Sequence, residues 1–345
     1  MWWSSSIASA ASTNYMPPEG TAIAGQVDGI YGFLLISSFI SFVIVVGGMI
    51  YFVFKYKRRT ATDKTAYITH NHALEFLWSF VPFVLFMFVF AWGWVVYHRM
   101  RSFPENALEV NVIGKKWDWR FIYKNGKEVT SSLNAQNEKV PPEMVVPVGR
   151  PIKLVLSSER INPGTPLSES PTDRAVLHDF YIPAFRIKQD VVPGRYTAEW
   201  FQADKIGTYW VFCAEYCGAS HYDMRARIKV VSNDDFEKWL ASEGSGAALS
   251  LVDEGRALYS QKACVGCHSL DGSPMTGPTW KGIWGTMVDT DKGPLKIDEN
   301  YIRESILEPN AKIVKGFQAN VMPSFAGQLT EDQIRAMIEF IKTVK

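Results

Sequence analysis

The chain has 345 residues, a length that suggests two domains or more. Its formal net charge at pH 7 is +1, so its charge gives no reason to expect nucleic-acid or polyanion binding. Hydrophobic residues make up 47% of the chain, and two early segments hold a disproportionate part of them. The composition therefore indicates a membrane protein with a large soluble portion.

The first segment, residues 1–27, is built mainly of small and polar residues and contains neither Lys nor Arg. It therefore lacks the basic start and the apolar core of a secretory signal. We expect an exposed or loosely docked N-terminal extension, and a cleaved leader ahead of it stays possible.

Two apolar segments follow, from Ile30 to Phe54 and from Ala73 to Tyr97. Each is about 25 residues long, which is enough to cross a bilayer as a helix. The short loop between them contains the basic run Lys55–Arg59, and basic residues in short loops stay on the cytoplasmic side. The pattern predicts a helical hairpin over residues 28–98. Both termini and the soluble portion then lie on the outer side of the membrane.

The segment over residues 99–232 reads as short strands separated by turns. Leu108 to Ile113 alternates as a half-buried strand does, and further strand-like runs are broken by Pro and Gly. This spacing predicts a small antiparallel barrel or sandwich. Trp117 and Trp119 alternate on one strand, so they share a face and could simply pack on the sheet.

A cluster of soft metal donors lies near the end of this segment. Cys213, Cys217, His221 and Met224 supply two thiols, an imidazole and a thioether, the donor types that select copper for electron transfer. Two thiolates can bridge a pair of copper ions, which then need a second imidazole from elsewhere. His178 is the candidate. The alternative is a Cys213–Cys217 disulfide, since compartments outside the cytosol are oxidising.

Residues 233–250 predict a short surface helix, Asp234 to Ser242, and a flexible linker rich in Gly, Ser and Ala. Beyond them, residues 251–345 contain the C-x-x-C-H sequence Cys264–His268, which is typical of c-type haem attachment. Two thiols add across the haem vinyl groups, and the following imidazole binds the iron. A zinc half-site is the alternative, but no Cys follows to complete it.

The sixth iron ligand is expected to be a Met from the C-terminal half, because a Met/His pair raises the potential. Met275, Met287 and Met322 compete for this role. Met322 is the first choice and Met287 the second. Met322 lies just ahead of a final helix, for which Thr330 opens a capping box.

The loop from Cys213 to Met224 matches C-x-E-x-C-G-x-x-H-x-x-M throughout and resembles the binuclear CuA loop of cytochrome c oxidase subunit II. The resemblance implies a cupredoxin-like β-barrel. It also implies a second role for the Glu215 side chain, on a Mg or Mn ion shared with subunit I. The copper ligands that it implies are His178, Cys213, the backbone carbonyl of Glu215, Cys217, His221 and Met224.

Three further segments bear on this resemblance. Glu75 and Pro82 belong to a segment similar to the E-x-x-W-x-x-x-P of the family, which implies that Glu75 lies at the cytoplasmic mouth of a proton channel in subunit I. A carboxylate near a helix end could instead simply reach the headgroup region. Trp117 matches the first Trp of a W-x-W segment where electrons from cytochrome c enter. Residues 160–174 are an insertion that either docks another domain or forms a longer loop.

The segment around Met322 resembles the M-P-x-F of small bacterial cytochromes c, which implies an all-α class I cytochrome c domain. Hairpin, copper barrel, linker and haem domain together resemble subunit II of the caa3-type oxidases. The linker then tethers the haem domain at an effective concentration of order mM.

The function implied is that electrons enter at haem c, pass to the copper pair and leave for subunit I, where oxygen is reduced to water and protons are pumped. The implied partners are subunits I and III and a donor that is cytochrome c or a quinol-oxidising complex. Three alternatives stay open: a nitric oxide reductase complex, a free-standing membrane-anchored electron shuttle, and a copper-delivery or storage protein.

Overall fold

The computed structural model describes residues 16–134, 136, 138–160, 174–242 and 250–345. Most of the predicted insertion and of the predicted linker lies outside these residues. The helices are α1 Ala22–Lys55, α2 His72–Arg101, α3 Asn233–Ala241, α4 Leu251–Gln261, α5 Glu299–Leu307 and α6 Glu331–Thr343. The strands are β1 Leu108–Lys115, β2 Asp118–Tyr123, β3 Glu128–Val129, β4 Ser132–Leu133, β5 Lys139–Val140, β6 Glu143–Pro147, β7 Pro151–Ser158, β8 His178–Ile182, β9 Ile187–Val191, β10 Thr197–Gln202, β11 Gly207–Cys213, β12 Arg225–Val231, β13 Met287–Thr290 and β14 Gly293–Lys296.

Helices α1 and α2 form the N-terminal hairpin. Both are long and apolar enough to cross a membrane, and α1, at 34 residues, spans about 50 Å. Phe33 of α1 packs against the rings of Phe88 and Trp92 of α2, with centroid distances of 5.7 and 5.9 Å. Helix α1 begins within the segment predicted as the extension because the Thr21 hydroxyl caps it, accepting from the Ala24 N–H at 3.1 Å.

An arginine joins this hairpin to the β domain. The Arg186 guanidinium donates to both carboxylate oxygens of Asp28 in α1, at 2.8 Å each. It also donates to the Pro17 carbonyl at 2.6 Å. A two-pronged guanidinium–carboxylate pair fixes direction as well as distance. The start of α1 is thereby held against the barrel.

The β domain consists of two five-stranded sheets, in the orders β10-β7-β1-β2-β3 and β6-β12-β11-β8-β9. Most neighbouring strands are antiparallel, as predicted, but β1 pairs with β7 and β6 pairs with β12 in parallel. One apolar core lies between the sheets, with Phe121 from the first and Phe180 from the second among its buried residues.

Strand β1 is buried on both faces, which differs from the half-buried strand predicted by its alternation. Val110 and Val112 point into the barrel core, while Ile113 on the other face belongs to the core of the C-terminal domain. Glu109 and Asn111 share that second face and are buried as well. The reason is tertiary, because the C-terminal domain covers the outer surface of the first sheet.

The C-terminal domain is built on α4 and α6, which pack against each other, with α5 beside α6. The capping box predicted at Thr330 is present: its hydroxyl accepts from the Gln333 N–H at 3.2 Å, and the Gln333 side chain accepts from the Thr330 N–H at 3.1 Å. The domain also contains the short hairpin β13–β14, an addition to its helices.

One tyrosine links the two sheets of the barrel and gives a stability prediction. The buried Tyr123 hydroxyl donates to the Val145 carbonyl at 2.8 Å and accepts from the Val145 N–H at 2.9 Å. We expect Tyr123→Phe to lower the free energy of unfolding by about 1–3 kcal/mol, because two buried backbone groups lose their partner. Urea unfolding of the purified protein in detergent, followed by tryptophan fluorescence, measures the change.

Tyr209→Phe is the matched control, because its hydroxyl donates to the Lys205 carbonyl at an exposed position. This substitution should change the free energy of unfolding by less than about 0.5 kcal/mol. Equal losses in the two variants would contradict the assignment of Tyr123 as a link between the sheets.

Candidate copper and haem sites

The candidate copper ligands are brought together by neighbouring strands of the second sheet. Cys213 ends β11, and Met224 immediately precedes β12. Cys217 and His221 lie in the loop between these two strands. His178 is the first residue of β8, and β8 pairs with the end of β11, where Cys213 lies opposite Phe180. The strand pairing therefore places His178 beside a loop that begins 35 residues later in the chain.

The side-chain donors converge at short distances. The two sulfurs of Cys213 and Cys217 are 3.8 Å apart. His178 Nδ1 lies 3.8 Å from the Cys213 sulfur, and His221 Nδ1 lies 3.5 Å from the Cys217 sulfur. The Met224 sulfur is 3.8 Å from that of Cys217. The structure thus brings all five predicted side chains into one cluster.

Glu215 contributes through its backbone, while its side chain points outward. Its carbonyl oxygen lies 3.2 Å from the Cys213 sulfur, and the residue is exposed. The carbonyl therefore faces the sulfurs and leaves the carboxylate free for a different contact.

The electrostatics of the cluster favour a bound cation. Burial, and then the neighbouring Cys213, raises the pKa of Cys217 to about 12. Burial, followed by His221 and Lys116, lowers the pKa of His178 to about 4, so its imidazole is neutral. Paired thiolates are stable here only beside compensating positive charge, and soft donors of this kind fit copper. A disulfide requires sulfurs about 2.05 Å apart, whereas these sulfurs are 3.8 Å apart and both thiols are free.

Gly114, which was not among the site residues predicted from the sequence, and Trp119 hold His178 in place. A Cβ atom on Gly114 would lie 2.9 Å from Cδ2 of His178 and 3.2 Å from the Trp119 ring, so only glycine leaves room for the imidazole. Trp119 is fully buried, and its ring meets that of His178 edge-on at 5.9 Å. Gly114 precedes the Trp pair by three residues, but its contact with His178 depends on the fold.

Trp117 contacts the loop of the copper ligands and does more than pack on the sheet. Its indole Nε1–H donates to the Cys217 carbonyl at 3.1 Å, and its ring lies against Gly218. The Lys139 ammonium donates to the Trp117 carbonyl at 2.6 Å and fixes the backbone there.

The C-terminal domain contains a largely apolar cavity of about 300 Å³. Cys264, Cys267 and His268 line one part of its wall, and Met322 lines another. Met287 is exposed on β13 and is not among the described residues that line this cavity. The geometry therefore favours Met322 over Met287 as the second axial ligand.

His268 is oriented for iron binding. Its Nδ1 lies 2.7 Å from the Pro278 carbonyl, which can only accept, so Nδ1 carries the proton and Nε2 is left as the donor atom. Burial lowers the pKa of His268 and keeps the imidazole neutral. The Trp280 ring stacks on it at 5.2 Å, and a Cβ atom on Gly277 would lie 2.6 Å from its Cε1. An apolar cavity with two thiols and a fixed imidazole in its wall fits a covalently bound haem.

Glu75 lies in the first turn of α2, far from both of these sites in the chain. Its Oε1 accepts from the Asn71 N–H at 3.1 Å, and Oε2 lies 3.6 Å from His72 Nδ1. The carboxylate thus helps to cap the helix and is favoured by the helix dipole. This capping contact was not expected from the sequence.

Comparisons with known proteins agree with this layout. A family pattern described as the transmembrane domain of cytochrome c oxidase subunit II matches residues 9–94. The pattern for the periplasmic domain of the same subunit matches residues 108–231, and a cytochrome c pattern matches residues 252–345.

Individual relatives are also named as subunit 2 of cytochrome c oxidase. An alternative cytochrome c oxidase subunit 2 of Bradyrhizobium diazoefficiens is 33% identical over 229 residues, covering 61% of this chain and 77% of the relative. Cytochrome c oxidase subunit 2 of Alkalihalophilus pseudofirmus is 26% identical and covers 96% of this chain and 90% of the relative. The crystal structure of the periplasmic domain of subunit II from Bradyrhizobium japonicum is 32% identical, with a TM-score of 0.33, and covers 40% of this chain and 94% of that one.

Fold and sites define a membrane-anchored subunit of a haem-copper oxidase, which is an oxidoreductase complex. The chain belongs to the cytochrome c oxidase subunit II family and has a cytochrome c domain fused at its C-terminal end. The predicted architecture of hairpin, β domain and cytochrome c domain is confirmed. The subunit II domain implies CuA copper, the cytochrome c domain implies haem c, and the family pairs this subunit with subunit I.

The fit around His178 gives a first prediction for these sites. We expect Gly114→Ala to displace the imidazole and lower the copper content of the purified protein, since the added methyl group overlaps His178 and Trp119. Metal analysis and near-infrared absorption measure the change. Gly47→Ala adds the same methyl group where no atom lies within 4 Å and should bind copper normally. Normal copper content in both variants would contradict the prediction.

The haem cavity gives a second prediction. We expect Gly277→Ala to push the His268 ring away from its position, because the new Cβ would overlap the imidazole. Haem should remain attached through Cys264 and Cys267, while its optical spectrum and its midpoint potential change because the imidazole is displaced from the iron. Gly266→Ala, where a Cβ meets no atom within 4 Å, is the control. An unaltered spectrum and potential in Gly277→Ala would disprove the positioning role.

Proposed function

We propose that this chain accepts electrons from an external donor at its cytochrome c domain and passes them, through the cluster around Cys213 and Cys217, to subunit I. Haem and copper, when bound, supply one-electron redox chemistry. The observation that carries this proposal is that one chain holds both donor sets in folded sites. A protein that needs a separate cytochrome as its donor would have only the copper donor set.

The residues have distinct roles in the proposal. Cys264 and Cys267 would attach haem c, and His268 and Met322, which line the same cavity, would hold its iron. The ligands proposed for a binuclear copper centre are His178, Cys213, Cys217, His221, Met224 and the Glu215 carbonyl. His178 and Cys213 lie on paired strands, and the loop between β11 and β12 carries the other ligands; we expect this framework to keep the donor positions nearly constant when an electron arrives or leaves.

Trp117 is proposed as the residue through which electrons reach the copper site. Its indole bonds directly to the carbonyl of the ligand Cys217 at 3.1 Å, which supports this role. The exposed Glu215 carboxylate is proposed to bind a Mg or Mn ion shared with subunit I. Tyr216 and Tyr222, both strongly exposed beside the loop, are suited to contact a protein partner there.

The hairpin is proposed to place both termini and the two redox domains on the periplasmic side of the bacterial cytoplasmic membrane. Glu75 then lies at the cytoplasmic end of α2, where it is proposed to admit protons to a channel of subunit I. Oxygen reduction to water and proton pumping are assigned to subunit I. Subunit III is a further proposed partner, and the donor is cytochrome c or a quinol-oxidising complex.

The domain division predicted from the sequence is kept as part of the proposal. It assigns residues 1–27 to the extension, 28–98 to the hairpin, 99–232 to the copper domain, 233–250 to the helix and linker, and 251–345 to the cytochrome c domain.

The decisive test is purification of the complex in detergent. We expect the chain to purify with subunit I, to contain two copper ions and one haem c, and to support oxygen consumption when a donor reduces the haem. Oxygen and nitric oxide consumption are measured side by side. Preferential turnover of nitric oxide would instead assign the chain to a nitric oxide reductase complex. Purification without any partner would indicate a free-standing electron shuttle.

The role of Glu75 is tested separately. We expect Glu75→Gln to slow oxygen consumption by about tenfold or more, because the carboxylate can no longer take up protons, while the rate of haem c reduction is unchanged. Helix capping is largely retained, since the amide oxygen still accepts from the Asn71 N–H. Glu105→Gln, an exposed residue beyond α2, is the control. Unchanged oxygen consumption in Glu75→Gln would remove the proposed role.

A further inference from the structure

The cytochrome c domain covers the outer face of the first barrel sheet. Ile113, Ile122 and Val155, from three adjacent strands of that sheet, are buried in one apolar cluster with Leu258 of α4 and Ile338 of α6. The C-terminal domain therefore shares its hydrophobic core with the outside of the barrel. A domain held only by a flexible linker would leave these side chains in water.

A first group of buried charges lies where α6 begins. Arg335, with 2% of its side chain exposed, donates to Glu159 at 2.5 Å, to the Ser157 hydroxyl at 2.9 Å and to Asp332 at 2.5 Å. Arg120 of the barrel donates to Asp332 at 2.6 Å and lies 3.6 Å from Glu159. Two guanidinium groups and two carboxylates thus alternate across the domain boundary, and their charges balance.

A second group lies where α6 ends. Lys342 contacts Glu109 of the barrel at 2.5 Å, Glu339 at 2.8 Å and Glu299 at 3.1 Å. Lys153 of the barrel contacts Glu109 and Glu299, each at 3.1 Å. Four of these five ion pairs involve Glu109 or Glu299, so each of these carboxylates is shared between lysines of the two domains.

A side-chain amide completes the contact at the edge strand. Asn300 of α5 accepts from the Tyr196 N–H at 2.7 Å and donates to the Tyr196 carbonyl at 3.0 Å. Tyr196 immediately precedes β10, the outermost strand of its sheet. Nearby, Arg303 of α5 donates to the Gly194 carbonyl at 2.8 Å.

We infer that these contacts fix the cytochrome c domain on the copper barrel as a permanent docking face, so that the two redox domains act as one rigid unit and the linker is not needed to hold them together. The inference departs from the tether expected from the sequence. Separating the domains would break the pairs Arg335–Glu159 and Arg120–Asp332, and it would expose the shared apolar cluster to water. The docking itself is independent of the electron path, whereas its value for electron transfer rests on the proposed function.

The experiment cuts the linker in the assembled oxidase. Residues 243–249 are replaced by the recognition sequence of a site-specific protease, the purified complex is cleaved, and gel filtration shows whether haem c still elutes with the copper domain. We expect the haem to stay bound at about 0.15 M and at about 0.5 M salt, because buried pairs are screened much less than exposed ones. Release of the wild-type domain at the lower salt concentration would overturn the inference.

Variants then test the buried charges. Arg335→Met should raise the dissociation constant of the cleaved domain on the order of a hundredfold or more, since Glu159 loses its closest partner. Lys315→Met is the matched control, because its ion pair with Asp289 is exposed and lies wholly within the cytochrome c domain. Retention of Arg335→Met equal to that of the control would contradict a fixing role for the Arg335 cluster.

Two further measurements keep the result unambiguous. The optical spectrum of attached haem, taken before cleavage, shows whether each variant is folded, and Lys342→Met tests the second cluster if Arg335→Met does not fold. In the uncleaved wild type, the rate of electron transfer from haem c to copper should not depend on solvent viscosity. If the chain carries no electrons between these centres, the proposed function fails while the retention assay still reports on docking.

Discussion

The candidate copper site is organised around two buried thiols, Cys213 and Cys217, that lie side by side. Their sulfurs are 3.8 Å apart, and burial together with the neighbouring Cys213 raises the pKa of Cys217, so the Cys217 thiol is protonated unless a cation lies beside it. The surrounding barrel provides further donors for such a cation, because it places two imidazoles and a thioether at the sulfurs. Rigid strands hold these donors, and Gly114 gives the space that His178 occupies.

The outer face of the first sheet determines how the two domains pack together. In a free-standing subunit with only a copper domain, the face that contains Glu109, Asn111 and Ile113 would meet water. Here α6 lies over it, and the charged residues of the strand become parts of a buried network. The fused domain thereby changes the environment of the first sheet, whereas the candidate copper ligands are placed by the strands of the second sheet and the loop between β11 and β12.

In the cytochrome c domain, most of the candidate haem-binding residues are placed by local structure. Cys264, Cys267 and His268 lie within five consecutive residues, so one short turn sets their arrangement. The orientation of the imidazole depends instead on Pro278, Gly277 and Trp280, which surround the ring. Met322, the residue proposed as the second ligand, lies in a loop much later in the chain and lines the same cavity.

The sequence by itself determined the elements whose cause is local. Long apolar runs with at most one charge and a basic loop between them predicted the two membrane helices, Thr330 and Gln333 predicted the start of α6, and donor chemistry at fixed spacing predicted the copper loop and the haem motif. Only the tertiary structure decided which residues meet across the chain. The contact between Gly114 and His178, the double burial of β1 and the ion pairs of Arg335 join segments that are far apart in sequence. The alternation of apolar residues along a strand predicts which of its faces is apolar. It cannot predict that a second domain will cover the other face and form buried charge pairs with it.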